Sequence, residues 1–331
     1  MLNRHFPRKP GRDWTSARGR TPDRHRPGLT LSGTLVCGAM RCAFASPFTN
    51  TPPYDAIQFT APNDNSVTLS MVSTVRLTQF TDLHLYGDER GQLRGVTTLA
   101  SLSVALEHAR RGSWPPDALL ITGDLVQDDP AGYAHVRRLF SSFRVPVLCL
   151  PGNHDEPEAM RRELSRSPFV TGGHLDLGPW RIVLLDSVIP GCAGGALSEA
   201  SLVALDTVLG SAGNRHALVC LHHQPVPMSS QWLDRVGLAN AQDFLAIIDR
   251  HPNVRGVIWG HVHQSFDALR NGVRLLATPS TCAQFLPRVE QFAVDARPPA
   301  YRTLELKPDG SIVTEVLWAS VRSAESSVTA A

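Results

Sequence analysis

The chain has 331 residues, 42% hydrophobic and 19% charged, enough apolar material for one large core or two modest ones, so a fibrous, collagenous or wholly disordered protein is excluded. Its net charge of +2 conceals nine basic and two acidic side chains within residues 1–50 against a net −5 over the rest; that acidic body does not suit a nucleic-acid partner. No stretch reaches the roughly 18 uninterrupted apolar residues of a membrane span, because the best one, residues 29–45, is broken by Arg41 and several Gly and Ser.

Residues 1–70 carry eight of the 25 prolines, the Arg excess and no sustained hydrophobic period, which reads as a disordered Arg/Pro-rich extension. An export signal is the competing reading, on the basic start, the apolar run 29–40 and Ala43-Phe44-Ala45; Arg41 and the weak apolar centre count against it. Met71 directly precedes the first strand-like run, so a physiological start there is expected, with 71–331 as the working domain.

From Val75 onward short β-rich runs alternate with helical spacing, the rhythm of a layered α/β (α+β) architecture. Strands are predicted at 75–80, 118–122, 145–150, 181–186, 217–221 and 254–259. Helices are predicted at 97–110, 202–209 and 241–248. Further strands are expected at 273–277, 301–306 and 312–317, with the end of the chain supplying a second sheet.

Polar groups able to bind metal follow these strands: Asp82 and His84, Asp124, Asn153 and His154, His222 and His223, His261 and His263. Side chains at the C-terminal ends of strands escape the buried sheet and can converge in one crevice. In extended backbone Asp82 and His84 would point to the same side as a metal grip; an Asx-type turn with a surface histidine is the alternative. Asp124 in GDLVQDD also reads as a helix cap, and PGNHDE as turn chemistry. LHHQP (221–225) and GHVHQ (260–264) weigh more, because paired imidazoles after a buried apolar strand are poor core design. Two Asp, one Asn and four His exceed the needs of one ion, whereas two divalent cations bridged by Asp124 would use them all. Such a pair acidifies water and clamps phosphoryl oxygens, implying phosphoester hydrolysis. With two carboxylates and a hydroxide the site keeps about one positive charge, which a phosphodiester monoanion balances. The six cysteines, Cys37, Cys42, Cys149, Cys192, Cys220 and Cys282, form no CxxC pair, so no thiolate metal site or disulfide framework is indicated and a reducing, cytoplasmic compartment fits.

Taken in order, FTDLHL, GDLVQDD, PGNHDE, LHHQP and GHVHQ resemble the calcineurin-like metallophosphoesterases over roughly residues 75–265. ATPSTCAQF (277–285) and FAVDARPPAYRTLEL (292–306) resemble more narrowly the bacterial class III 3′,5′-cyclic-AMP phosphodiesterases. The resemblance implies a four-layer α-β-β-α sandwich with a dinuclear site at the sheet edges. It places one metal on Asp82, His84, Asp124 and His263 and the other on Asp124, Asn153, His222 and His261, with His223 as second choice for His222. Iron with manganese is favoured, and zinc or cobalt would also suit these ligands. His154 is implied to face the substrate phosphate as proton donor or charge stabiliser, with Asp155 orienting its ring or capping a helix, and Asp128 and Asp129 in support. His84, Asp124, Asn153, His222 and His263 would thus border the substrate as well. Gln264, Thr281 and Phe285, which adjoin the matched blocks, are candidates for adenine and ribose against the favoured alternative of surface or packing roles, and Cys282 reads as a packed residue. The expected partner is a cyclic nucleotide, hydrolysed to 5′-AMP. Alternatives are a broader phosphodiesterase acting on 2′,3′-cyclic nucleotides or other esters, and a non-catalytic scaffold of the same fold. The oligomeric state is left open.

Overall fold

Alternation of apolar side chains along the strands decides the layering. In the computed structural model, which describes residues 72–319, Ala118 and Leu120 of the strand Ala118–Thr122 enter one hydrophobic cluster while Leu119 and Ile121 enter another. Val147–Leu150, Trp180–Leu184, His216–Cys220 and Val254–Trp259 divide in the same way. Strands buried on both faces read as near-continuous hydrophobic runs, as these do. Each fully buried Leu, Ile or Val stabilises the fold by about 1.5–3 kcal/mol.

Two six-stranded sheets result. The first runs in the order Ile312–Trp318, Ala300–Leu306, Val75–Phe80, Ala118–Thr122, Val147–Leu150, Phe169–Val170. The second runs Phe266–Arg270, Val273–Ala277, Val254–Trp259, His216–Cys220, Trp180–Leu184, Gly173–Leu177. One cluster lies between the sheets, with Leu77, Leu120 and Leu148 from the first meeting Ile182, Leu218 and Ile258 from the second. The helices Thr98–Arg110, Tyr133–Phe140 and Pro157–Glu163 cover the outer face of the first sheet. Glu199–Gly210 and Ala241–Arg250 cover that of the second. This is the expected α-β-β-α order, and among the described residues no helix is long and apolar enough to cross a membrane.

The predicted strands and helices form within a few residues of their expected bounds. The second sheet corrects the expected placement of the chain's end. It is built from residues 173–277, whereas Ala300–Leu306 returns to pair antiparallel with Val75–Phe80, from Val75 opposite Leu306 to Gln79 opposite Arg302. Strand-forming character marks these segments as strands but carries no address; the partner is set by the edge that Val75–Phe80 leaves open. The readings for residues 1–70 lie outside the described residues.

In both sheets the central strands are parallel: Val75–Phe80, Ala118–Thr122 and Val147–Leu150 in one, Trp180–Leu184, His216–Cys220, Val254–Trp259 and Val273–Ala277 in the other. Their C-terminal ends therefore lie along one edge of each sheet. A buried polar network joins the sheets: Gln79 Nε2 donates to Thr122 Oγ1 at 2.7 Å, Thr278 Oγ1 donates to Gln79 Oε1, and Arg302 Nε donates to Thr278 Oγ1 at 3.0 Å. Arg302 is 2% exposed and also donates to Ala277 O at 2.8 Å, and burial lowers its guanidinium to about 10. Every such bond is a donor or acceptor that would otherwise be buried unpaired.

Candidate metal centre

The loops beyond the parallel strands leave extended geometry at once. Asp82, His84, Asp124, His261 and His263 all adopt positive φ, between 48° and 65°, a region that non-glycine residues occupy at a cost and that clusters at functional sites. The sequence reading that Asp82 and His84 share a side through extended backbone is thereby corrected: left-handed turns, not strand periodicity, aim them. Close approach also requires small residues. A Cβ on Gly152 would collide with Asp124 Oδ1 and reach within 2.7 Å of His222 Nε2, and one on Gly260 would collide with Thr81 Oγ1 and reach within 2.7 Å of Asp82 Oδ2.

All seven predicted ligands come together. His263 Nε2 lies 3.3 Å from Asp82 Oδ1 and 3.1 Å from His84 Nε2. Asp124 Oδ2 lies 3.3 Å from His222 Nε2 and 3.7 Å from His84 Nε2, and His222 Nε2 lies 3.3 Å from Asn153 Oδ1. The rings of His222 and His261 are 5.0 Å apart. Four overlapping groups each gather ligand-type atoms within 4.8 Å: Asp82, His84 and His263; Asp82, Asp124 and His222; His84, Asp124 and His154; His222, His223 and His261.

The carboxylates and rings are preset by backbone groups and the Thr81 hydroxyl. His261 N–H donates to Asp82 Oδ1 at 3.0 Å, Thr81 Oγ1 donates to Asp82 Oδ2 at 2.7 Å, and His154 N–H donates to Asp124 Oδ1 at 2.9 Å. His222 Nδ1 faces Thr122 O at 2.8 Å, His263 Nδ1 faces Ala283 O at 2.6 Å and His261 Nε2 faces Val236 O at 3.1 Å. A ring N–H donated to a carbonyl fixes the tautomer and turns the other nitrogen's lone pair toward a metal. That leaves Nε2 of His222 and His263 and Nδ1 of His261. His84 and His263, whose Nε2 atoms meet at 3.1 Å, suit two rings aimed at one cation. The nitrogen and oxygen donor set fits divalent metal ions.

Electrostatics follow from burial and crowding. Burial alone would raise the Asp124 carboxyl, but His222, His154 and His84 outweigh it and hold it well below the usual carboxylate range. Asp82 is likewise held low, His263 overcoming burial. Burial lowers His84 to about 3 and, with His223 and His222, holds His261 well below the ordinary imidazole value. For His222 the Asp124 charge overcomes burial and lifts it to about 9.

His223 remains geometrically close. Its Nδ1 lies 2.8 Å from Ser187 Oγ, its Nε2 is buried without a partner, and burial takes it to about 3. His222, unlike His223, also meets both Asp124 and Asn153.

His154 stands beside this cluster, its ring 5.3 Å from that of His84 and its side chain 32% exposed. Asp155 does not orient that ring, contrary to expectation. Its carboxylate accepts N–H from Gly152 (2.9 Å), Leu125 (3.1 Å) and Val126 (3.2 Å) and the Tyr133 hydroxyl (2.9 Å), stitching the 124 and 152 loops together. Burial and the Asp124 charge push it up to about 7 against those bonds. Nor does it cap the helix Pro157–Glu163, where the N-cap is Glu156. Asp128 and Gln127 orient the ring instead: Asp128 Oδ2 lies 3.1 Å and Gln127 Nε2 2.8 Å from His154 Nδ1, and Gln127 Nε2 donates to Asp128 Oδ2 at 2.8 Å. Burial would lower His154, but Asp124 and the bond to Asp128 raise it to about 8.

Of the weaker candidates, Asp129 accepts from Gly87 N–H at 2.7 Å and Ala131 N–H at 3.1 Å, a loop and cap role. Gln264 and Thr281 are 2% and 0% exposed. Phe285 stacks on His263 with ring centroids 3.9 Å apart and planes within 6°. Cys282 is buried and its thiol is pushed up to about 12 by burial, so it is no thiolate nucleophile. A cavity of about 680 Å³ among the described residues is lined by Arg137, Arg138, Arg162 and Arg166 and includes none of the predicted ligands. Missing from the sequence reading were the Val236 carbonyl behind His261 and the aromatic neighbours of Phe285; neither carries a motif.

Comparison with known proteins bears out the family that the motif order resembles. The calcineurin-like phosphoesterase family profile matches residues 75–265. A 3′,5′-cyclic adenosine monophosphate phosphodiesterase, CpdA, of Pseudomonas aeruginosa is 40% identical over 245 residues, 74% of this chain and 90% of that protein. CpdA of Escherichia coli K12 is 42% identical over 244 residues, 73% of this chain and 89% of that protein. Among solved structures, a dimetal phosphatase from Danio rerio superimposes with a TM-score of 0.52 at 16% identity, over 74% of this chain and 99% of that one, a likeness of fold alone.

Proposed function

The chain belongs to the calcineurin-like phosphoesterases, and from that membership we propose that it hydrolyses 3′,5′-cyclic AMP to 5′-AMP. The observation that carries the chemistry is Asp124, whose carboxylate lies against His222 and His84 and so belongs to two ligand groups at once. The substrate rests on relatives 40% and 42% identical that are named for cyclic AMP. One cation would be held by Asp82, His84, Asp124 and His263, the other by Asp124, Asn153, His222 and His261. Bound there, two divalent ions supply Lewis acidity toward the phosphoryl oxygens and acidify water.

The remaining work falls to the chain's own groups. His154, its Nδ1 facing Asp128, keeps a proton near neutral pH beside the cluster, a ring nitrogen lying within 4.8 Å of ligand atoms of His84 and Asp124. Cleavage of the 3′ ester expels a ribose alkoxide, a poor leaving group, and His154 donates the proton that it needs. The burial of Asp82, Asp124, His222 and His263 keeps water from screening these charges.

Iron with manganese is the proposed metal pair, since imidazole, carboxylate and amide ligands without thiolate suit both, and the cytoplasm the proposed compartment. The working domain is proposed to span 71–331, and an insoluble or inactive 71–331 chain would refute that boundary. The deciding experiment loads the chain with defined metals and compares kcat/KM for 3′,5′-cyclic AMP, 2′,3′-cyclic AMP and a noncyclic diester. A clear preference for the first is expected. Equal or greater activity on the noncyclic diester overturns the substrate, and no metal-dependent hydrolysis of any of them overturns the enzyme.

A further inference from the structure

Three of the seven large hydrophobic side chains exposed among the described residues, Leu286 (40%), Phe292 (38%) and Val294 (47%), lie on or within one short hairpin, Gln284–Phe285 paired with Val294–Asp295. Concentrated exposed apolar surface marks a binding surface more often than an accident. The root of this hairpin is fixed to the metal centre: Phe285 stacks on His263 and its N–H donates to His263 O at 3.3 Å. One face of Phe285 is thereby used, and its edges meet Trp232 at 5.5 Å and Phe292 at 5.1 Å. Phe292 is the outermost ring, held upright by Trp232 at 5.2 Å and 84°.

A second hairpin, Gln92–Leu93 paired with Val96–Thr97, faces it. Arg94 at its tip sits at φ 51° with its guanidinium 4.7 Å over the Phe292 ring. An aromatic ring and a guanidinium plane are the two side-chain surfaces on which nucleobases stack. They stand two ring contacts from His263, through Phe285 at 3.9 Å and Phe292 at 5.1 Å beyond it.

We propose that Phe292, opposed by Arg94, is the platform on which the base of the nucleotide substrate stacks, placing the phosphate at the metal centre. This rests on the cyclic-nucleotide reading above and names its specificity surface. An exposed cation–π contact contributes about twofold to fivefold and base stacking about tenfold to a hundredfold, so an arriving base displaces Arg94 from the ring and keeps its guanidinium alongside.

The test compares kcat/KM of the metal-loaded full chain on cyclic AMP and on ribose 3,5-cyclic phosphate, which has no base. Phe292→Ala should lose about tenfold to a hundredfold more on cyclic AMP than on the base-free ester, the loss residing in KM. Phe292→Trp should restore it, and Arg94→Ala should lose only about twofold to fivefold. Equal losses on both esters, no loss on either, or no recovery with Trp overturns the platform. A change in solution mass of Phe292→Ala without the selective loss also overturns it and assigns the patch to contact between copies. Wild-type chain that leaves cyclic AMP intact while cleaving the base-free ester refutes the substrate reading, before any variant is made.

Discussion

The first sheet brings both carboxylates, Asp82 and Asp124, to the candidate centre, whereas the second brings His222, His261 and His263, and the two sets are held differently. The acids are held by donated protons from Thr81, His154 and His261. The rings are held through their far nitrogens by the carbonyls of Thr122, Val236 and Ala283. Donation to the acids favours their charged form, and acceptance from the rings leaves a lone pair on the inward nitrogen. His84 is the exception. It comes from the acidic side, its Nδ1 is buried without a partner, and only its Nε2 engages the cluster. Negative charge and lone pairs thus arrive from opposite sheets and meet at Asp124.

Replacing the shared acid breaks that division most severely. Asp124→Asn should reduce kcat/KM by more than about a thousandfold, read in steady-state kinetics after metal loading; a loss below tenfold would show that the two sheets do not depend on it. His154→Ala, outside the two proposed cation ligand sets, should lower kcat by about 10²–10⁴ while elemental analysis finds the wild-type metal content. Parallel loss of metal would move His154 among the ligands. Gly152→Ala tests the close approach: the added Cβ meets Asp124 and His222, and chelator competition should show metal affinity down by about 10–100-fold, with wild-type affinity contradicting the packing.

Far from the centre, Arg181 donates to both Asp176 oxygens at 2.7 and 2.8 Å. Burial would raise the Asp176 carboxyl, but this pairing holds it below its ordinary 3.8. A depressed folded value means stability that is present above 3.8 and lost as pH falls through the lower folded value. Asp176→Asn should therefore melt about 2–4 °C below wild type at neutral pH, the curves converging as the pH falls below the ordinary 3.8. A constant offset down to pH 2 would exclude the pairing as its cause.

The five blocks were legible because each ends a buried run that sequence shows directly, and their order names the family. The hand of each loop was not: positive φ at Asp82 or His263 leaves no trace in residue type, since the strain is carried by residues chosen for binding. Asp155 looked functional because it adjoins His154, yet its four donors come from segments 22 to 30 residues away in the chain or from the turn it closes. Asp128 could not be linked to His154, 26 residues on, without the fold. The same limit applies to Ala300–Leu306, whose partner strand lies at the other end of the domain.

Metal stoichiometry tests the central claim most directly, that one carboxylate serves two cations. After loading and gel filtration, wild type should hold two transition-metal ions per chain, Asn153→Ala one, and Asp124→Asn fewer than one. An Asp124→Asn chain that still carries two ions would contradict it.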